Sequence, residues 1–180
     1  GLRRKLGVVS RILPMTDDRV RTRLRCDCGW LDFQDYFVRL RCEPAVQALD
    51  YVGAEAARPV PEVIDMLGGE DLRAVVICPS NPFLSIEPIL AIPGMRTAIA
   101  NCRAPVVAVS PVIAGQAVKG PTTKMMRELG LAASASAVAC RYADLLDAFV
   151  VDEADAAMAA PEGVRLVTAR TLMTCLADRR

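Results

Sequence analysis

Short apolar runs rich in Val and Ile alternate along this chain with longer stretches of helical periodicity. Prolines and glycines separate the two kinds of segment, as is typical of strands that alternate with helices. We predict strands over residues 8–13, 46–52, 74–77, 105–109, 149–151 and 164–167. We predict helices over residues 61–69, 95–102, 121–130, 135–146 and 171–177, and a helical turn over 153–159. This alternation predicts a single α/β domain over residues 1–180, with a doubly wound, mostly parallel, Rossmann-like sheet.

A second pattern covers about residues 19–45. Apolar and charged residues alternate from Val20 to Arg25, the sequence Asp27-Cys28-Gly29 is a turn signal, and strand-forming residues follow it. This pattern predicts a β-hairpin that projects from the main sheet. The next residues, 34–40, carry the pattern of a short helix. We expect the hairpin to provide the contact surface of a homodimer, if the protein forms one.

Residues 74–90 contain the strongest candidate for a binding site. An apolar strand, of the kind that parallel sheets bury on both faces, stops where two prolines bracket Ser80 and Asn81, because proline cannot donate to a strand ladder. Ser85 then occupies the predicted N-cap of a helix. Free amides and a helix dipole beside hydroxyl and amide side chains suit a phosphate group. The alternative interpretation is turn chemistry alone, since Ser, Asn and Pro are the commonest turn residues.

Ligands of parallel sheets bind at the carboxyl ends of the strands, near a topological switch point. Three loops with polar side chains follow predicted strands, at residues 15–18, 78–85 and 110–119, and we expect them to converge on one pocket. Asp17 and Asp18 could coordinate Mg²⁺ through their carboxylates, or one could cap the next segment while the other faces water. Lys119 could likewise reach a phosphate or be a solvated loop lysine.

Charge and composition exclude several functions. The chain has 22 Lys and Arg against 21 Asp and Glu, so it lacks the basic excess of a nucleic-acid-binding protein. No apolar run reaches the roughly 18 residues of a membrane span, and residues 1–4 lack a signal-peptide core. The seven cysteines, an odd number, fit reduced thiols, and we expect the protein in the cytoplasm.

The sequence contains no histidine. This excludes Ser/His and Cys/His nucleophile pairs, and zinc sites that use histidine, within these residues. Cys26 and Cys28 lack the second cysteine pair that would complete four zinc ligands, so we interpret them as parts of a hairpin turn. Cys78 has no adjacent base in the sequence and is interpreted as a packing residue.

Several segments resemble, in order, the C-terminal two-thirds of the 2-phospho-L-lactate transferase family, CofD or FbiA. ILPMTDDRVRT is similar to the family's LPM[ST]DD stretch, and LDFQDYFV to its FQ-[DE]-[YF] segment. CPSNPFLSIEPILAIPGMR resembles its GPSNP-x-x-SI-x-PI block, with Cys78 in place of the usual Gly. VVAVSPVIAGQAVKGP resembles VVAVSPI-x-G-x-x-x-x-GP, and LLDAFVVDEAD resembles [FL]LD-x-FV-x-D-x-x-D.

The resemblance implies a transferase of coenzyme F420 synthesis. Such an enzyme moves a phospholactyl or phosphoenolpyruvyl group from a guanosine diphosphate adduct to the deazaflavin alcohol Fo, releases GMP and uses Mg²⁺. This chemistry depends on positioning and on cations more than on a protein nucleophile. The resemblance places substrate contacts at Met15, Thr16, Asp17, Pro79, Ser80, Asn81, Pro82, Ser85 and Ser110. It also makes Asp17 and Asp18 candidate metal ligands.

The chain begins with the pattern of a helix end and not with Met. The glycine-rich nucleotide loop that the family carries in its N-terminal part has no counterpart here. We therefore expect this chain to be the C-terminal part of a longer protein, with further strands of the same sheet in the preceding part. We also expect no activity from residues 1–180 alone.

The alternative function is a non-catalytic regulator that binds a nucleotide or nucleotide sugar, similar to the gluconeogenesis-factor relatives of CofD. Those proteins carry a Gly-Ser-Leu-type turn where this chain has Ser80-Asn81-Pro82, and an Asn where it has Ser110-Pro111. The sequence therefore favours the transferase. Binding of Fo separates the two functions, since a regulator has no reason to bind it.

Overall fold

Much of the first half of the chain forms an antiparallel sheet, and a parallel sheet contains most strands of the second half. The computed structural model describes residue 5, residues 7–173 and residue 175. The strands are β1 (Arg21–Cys26), β2 (Gly29–Asp32), β3 (Val46–Val52), β4 (Val75–Ile77), β5 (Val106–Val109), β6 (Val112–Ile113), β7 (Gln116–Ala117), β8 (Ala148–Asp152) and β9 (Arg165–Ala169). The helices are α1 (Pro61–Gly68), α2 (Glu87–Leu90), α3 (Met95–Ala100), α4 (Thr122–Glu128) and α5 (Ala135–Arg141). Shorter helical turns occur at Asp35–Arg39, Ala54–Ala56, Pro82–Ile86 and Glu153–Asp155.

The parallel sheet has the strand order β4-β5-β8-β9. Val75 lies opposite Val106 in β5, and Phe149 lies opposite Leu166 in β9. Helices α2 and α3 follow β4, and α4 and α5 follow β5, so strands and helices alternate as predicted. The α/β class with a Rossmann-like parallel sheet is confirmed. The strand order follows the chain from one edge to the other, so no topological switch point lies among the described strands.

Strand β4 forms an edge of this sheet within the described residues, where the sequence predicted burial on both faces. Val76 is 57% exposed, and β5 is the strand that pairs with β4 in the described part of the chain. Cys78, just beyond the strand, is also exposed. Its interpretation as a packing residue is therefore wrong.

The antiparallel sheet contains the predicted hairpin, with the order β2-β1-β3. The turn falls at residues 27–28, and the pairing of β1 with β3 shifts register between Arg25 and Cys26. Helix α4 holds this sheet to the rest of the fold. The Glu128 carboxylate accepts the Val46 amide at 3.0 Å, and the Lys124 ammonium donates to the Pro44 carbonyl at 2.9 Å. Strand β3 pairs with β1 and therefore belongs to the same sheet as the hairpin.

Some predicted elements differ from the structure. Residues 8–13 form no strand; Val9 is 91% exposed and Ile12 is 69% exposed, since no described strand pairs with them. The predicted helix over 135–146 ends at Arg141, and a short hairpin of β6 and β7 occupies the predicted loop over 110–119. Residues 171–173 are not helical, and the rest of that predicted helix and most of the predicted N-terminal helix end lie outside the described residues.

The hydrophobic core lies between the parallel sheet and its helices and continues to the antiparallel sheet, where Leu24 of β1 and Val46 of β3 are buried. Phe149 and Val151 of β8 are fully buried, and so are Met125 and Met126 of α4. Within the described ranges, no helix is long and apolar enough to cross a bilayer.

Candidate functional site

A cavity of about 510 Å³ opens beyond the carboxyl ends of β4 and β5. Two of the three predicted loops meet there: the turn after β4 and the segment from residue 110 to residue 119. Thr122, the first residue of α4, and the segment after β9 complete the walls. The lining residues are Pro79, Ser80, Asn81, Ser110, Pro111, Ile113, Val118, Lys119, Thr122, Thr171, Leu172 and Met173.

Asn81 is the N-cap of the helical turn that follows β4. Its Oδ1 accepts the amides of Phe83 at 2.9 Å and Leu84 at 3.1 Å, and its Nδ2 donates to the Met125 sulfur at 3.5 Å. The prediction that Ser85 caps this helix is wrong, because the helix starts one turn earlier and Ser85 lies exposed within it. The two amides expected to be free for a phosphate therefore have an internal acceptor.

Ser110 is 2% exposed and closes the turn after β5. Its hydroxyl donates to the Val112 carbonyl at 2.7 Å and accepts the Val112 amide at 3.2 Å. These bonds hold β6 beside the cavity. Ser110 therefore contributes the shape of the wall, with its hydroxyl already engaged.

Ser80 and Lys119 are the groups of this cavity best placed to meet an anion. Ser80 is half-buried, and no described residue forms a hydrogen bond with its hydroxyl; Lys119 is exposed. Lys119 is the charged side chain among the residues that line the cavity. A single ammonium without a lining carboxylate gives this end of the cavity a positive potential.

The apolar part of the lining was not predicted from the sequence. It consists of Ile113, Val118, Leu172 and Met173, which are apolar. Thr171 anchors the segment after β9, because its amide and its hydroxyl both donate to Asp152 Oδ2, at 3.0 and 3.1 Å. The D-x-x-D pattern at the end of β8 was the available signal, since a carboxylate at a strand end commonly accepts nearby amides.

Two aspartates, one at the end of β8 and one just beyond it, hold this part of the lining. Hydrogen bonds from the backbone amide of Ala154, and then from that of Thr171, lower the pKa of Asp152 below its ordinary value. Asp155 Oδ2 accepts the amide of Ala114 at 2.9 Å, where the backbone has a φ of 48°. The β6–β7 hairpin is thereby fixed at its tip.

The first predicted loop, residues 15–18, does not line the cavity. Thr16 is buried, its hydroxyl accepts the Asp18 amide at 3.0 Å, and Asp18 Oδ2 accepts the Arg58 amide at 2.8 Å. The Met15 carbonyl accepts the Val60 amide. These bonds hold the loop against residues 58–60, so the expected convergence of three loops is limited to two. Asp17 in this loop is exposed, and Pro82 and Ser85 also lie outside the lining.

The residues of the cavity do not by themselves fit a magnesium centre. None of its lining side chains is a carboxylate, and the described part of the chain brings no three His, Cys, Asp or Glu residues together as metal ligands. Asp18 is engaged by the Arg58 amide. Asp17 and Asp18 as metal ligands, and Mg²⁺ itself, stay predictions.

A family model described as 2-phospho-L-lactate transferase CofD matches residues 1–169 of this chain. The chain belongs to this family. A phosphoenolpyruvate transferase of Streptomyces griseus is 42% identical to this CofD-family chain over 151 residues, which are 81% of the chain and 47% of that protein. A 2-phospho-L-lactate transferase of Methanosarcina barkeri is 41% identical over 171 residues, 93% of the chain and 54% of that protein.

Another 2-phospho-L-lactate transferase, from Methanopyrus kandleri, is 39% identical over 175 residues, 96% of the chain and 55% of that protein. The CofD-family chain thus spans about half the length of the curated relatives it matches. Among solved structures, a member of the upf0052 family from Bacillus halodurans has a TM-score of 0.58 at 14% identity, over 96% of this chain and 59% of that one. This likeness shows the fold.

Proposed function

We propose that this chain is part of a CofD-family transferase that moves a phospholactyl or phosphoenolpyruvyl group from a guanosine diphosphate adduct to Fo, with release of GMP. The family match and the names of the relatives support a transferase of this kind. The observation that carries the proposal here is the cavity at the carboxyl ends of β4 and β5. It combines the Ser80-Asn81 turn with Lys119, which together suit a diphosphate.

In the proposed reaction, the alcohol oxygen of Fo attacks the phosphorus that carries the acid. The bond from that phosphorus to the GMP oxygen breaks, GMP leaves with the electron pair, and the alcohol proton goes to solvent. The residues of this chain position the donor and offset its charge. Lys119 and the Ser80 hydroxyl bind the diphosphate, while Asn81 and Ser110 keep the turns that present them in place.

The identity of the transferred acid is part of the proposal. Relatives named for phosphoenolpyruvate and relatives named for 2-phospho-L-lactate have nearly equal identity to this chain, at 42% and 41%. The two acids differ in one carbon–carbon bond, which is double in phosphoenolpyruvate and single in phospholactate, and a site discriminates such a small difference only weakly. We therefore propose both donors as substrates to be compared.

A transfer assay with the intact protein tests the proposal. The protein is incubated with each guanosine diphosphate-linked acid, Fo and Mg²⁺, and the fluorescent product is separated from Fo. Lys119→Met should lower kcat/KM by about tenfold or more, the cost of a lost charged contact to phosphate. Arg103→Met is the control, because Arg103 is an exposed cation before β5, at the other end of the sheet. No transfer with either donor, or equal effects of the two variants, would contradict the proposal.

The same samples separate the transferase from the nucleotide-binding regulator. A transferase binds Fo, so the fluorescence anisotropy of Fo rises when the protein is added. A regulator binds GDP without binding Fo and produces no transfer product.

A further inference from the structure

A second groove, of about 350 Å³, is separate from the cavity described above. The two share no lining residue. The walls of the groove come from β3, from the helical turn after β4, from the start of α2, from the segment after α4 and from the end of α5. Its volume lies at the small end of the range of ligand-binding sites, so a small molecule is the class of ligand to consider.

One side of this groove carries a pair of opposite charges. The Nε and Nη2 of Arg141 donate to a single oxygen of Glu87, Oε1, at 3.2 and 2.9 Å. The Arg141 guanidinium also lies over the Phe83 ring, 4.8 Å from its centroid, which fixes its orientation. Glu87 Oε2 and Arg141 Nη1 form no hydrogen bond with the residues that the structure describes. The pair therefore offers one acceptor and one donor of opposite charge to a ligand.

The rest of the groove is mainly apolar. Leu49 lies on β3, and Leu129 and Leu131 follow α4. All three are half-buried, so each keeps apolar surface in contact with water. The Tyr51 hydroxyl already donates to the Phe83 carbonyl at 2.7 Å. A ligand that matches this groove has a positive and a negative group at one end and an aliphatic body at the other.

Phe83 and Glu87 connect the groove to the helical turn that Asn81 caps. The amides of Phe83 and Leu84 both donate to Asn81 Oδ1, at 2.9 and 3.1 Å. Asn81 lines the first cavity, whereas Phe83 and Glu87 line the groove. A ligand that contacts Phe83 and Glu87 in their present positions stabilises the folded turn, because it binds less well when the turn opens.

We propose that this groove binds a free α-amino acid with an aliphatic side chain, and that the bound amino acid stabilises the helical turn. Its carboxylate accepts from Arg141 Nη1, its ammonium donates to Glu87 Oε2, and its side chain packs against the three leucines. A carboxylic acid without an amine is repelled by the Glu87 carboxylate, and an amine without a carboxylate is repelled by the Arg141 guanidinium. A zwitterion avoids both repulsions.

Calorimetric titration of the intact protein with L-leucine tests the site. L-Leucinamide lacks the carboxylate, 4-methylpentanoate lacks the ammonium, and glycine lacks the aliphatic side chain. Each should bind at least about tenfold more weakly than L-leucine, because each loses one of the three contacts. No binding of L-leucine at millimolar concentration, or equal binding of the four compounds, would overturn the inference. This comparison uses the natural protein and needs no folded variant.

Substitutions assign the site to the groove. Arg141→Gln and Glu87→Gln should each lower the affinity for L-leucine by about tenfold, because a charged partner is lost. The matched control is the exposed ion pair of Arg103 and Glu70, neither of which lines the groove. Arg103→Gln and Glu70→Gln should leave the affinity unchanged. L-Leucine binding that survives both groove substitutions would place the amino acid elsewhere and refute the assignment.

Hydrogen exchange tests the effect on the turn. L-Leucine at ten times its dissociation constant should slow exchange of the Phe83 and Leu84 amides by about tenfold. The Ala154 amide, which the Asp152 side chain caps in a similar way, is the internal control and should not change. L-Leucine that binds without slowing exchange at Phe83 and Leu84 would refute the stabilisation of the turn. These measurements use neither Fo nor a nucleotide, so their outcome is independent of the proposed function.

Discussion

Asn81 fixes the turn after β4, because its Oδ1 accepts two consecutive amides of the following helical turn. The resemblance assigns Asn81 to substrate binding, whereas in the structure its side chain caps the helical turn that follows. The two assignments agree if the residue acts by keeping Ser80 at the cavity that Lys119 also lines. A residue of this kind affects stability and ligand affinity in different ways, which substitutions can separate.

Replacing Asn81 with Ala should lower the free energy of unfolding by about 1 to 2 kcal/mol, because the amides of Phe83 and Leu84 lose their acceptor. Asp is an equally good cap, so Asn81→Asp should stay within about 0.5 kcal/mol of the natural protein. Its negative charge at the cavity should nevertheless reduce GDP affinity. Urea unfolding and calorimetric titration measure the two effects. If Asn81→Asp lowered the free energy of unfolding as much as Asn81→Ala does, or bound GDP normally, the result would contradict this role.

Asp152 provides a pH-dependent prediction at the same scale. Its pKa in the folded protein is lowered by the amides it accepts. The contact to Thr171 is therefore complete above the ordinary aspartate pKa of about 3.9 and is lost as the pH falls through the lower folded value. The Thr171 amide resonance should titrate with a midpoint below about 3.9, and Asp152→Asn should abolish that titration. A midpoint at or above the ordinary value would disprove the contact.

Four of the residues predicted to contact substrate lie at the cavity, and those contacts stay predictions. Pro79, Ser80, Asn81 and Ser110 do line the cavity. Whether a side-chain hydroxyl or amide binds a ligand or a backbone group depends on where the next helix begins. The sequence pattern predicted that the helix begins at Ser85, whereas in the structure Asn81 is its N-cap. Leu172 and Met173 could not be predicted, because the segment after β9 reaches the cavity through a contact between residues 152 and 171.

At the scale of elements, Tyr51 connects the two sheets. Its hydroxyl, on β3, donates to the Phe83 carbonyl at 2.7 Å in the helical turn that Asn81 caps. Burial raises the pKa of the Tyr51 phenol above its ordinary value, so the hydroxyl keeps the proton that it donates. The Arg141 guanidinium lies over the Phe83 ring, 4.8 Å from its centroid, and binds Glu87 at 2.9 Å. Through the Tyr51 hydrogen bond, the antiparallel sheet stabilises the helical turn that Asn81 caps.

Tyr51→Phe should lower the free energy of unfolding by about 1 kcal/mol, because the buried Phe83 carbonyl loses a donor. Tyr142→Phe is the matched comparison. The Tyr142 hydroxyl is buried and has no hydrogen-bond partner among the described residues, so its removal should be neutral or stabilising. Chemical unfolding of both variants measures the difference. Equal destabilisation by the two substitutions would contradict this account of Tyr51.

Elements formed by neighbouring residues were the ones predicted well. The hairpin of β1 and β2 and the helix opened by Pro61 depend on local turn and capping signals, and both are confirmed. A strand also needs a partner, which explains the failure at residues 8–13. The two-residue strands β6 and β7 are too short to leave a pattern.

At the scale of the whole molecule, strand β4 is exposed at an edge of the parallel sheet, and the chain spans about half the length of its curated relatives. We predict that purified residues 1–180 do not transfer the acid to Fo, since their cavity has no carboxylate ligands and β4, like β9, has a single partner strand among the described strands. The intact protein is the control in the same assay. Turnover by residues 1–180 alone would contradict the prediction. The homodimer through the hairpin, where Trp30 is 44% exposed, also stays a prediction.

A crystal structure of the intact protein with bound GDP tests the central claim most directly. The claim is that the cavity beyond β4 and β5 holds the diphosphate of the donor. The account predicts diphosphate oxygens within about 3.2 Å of the Ser80 hydroxyl and the Lys119 ammonium. GDP bound elsewhere, with both groups left in solvent, would contradict it.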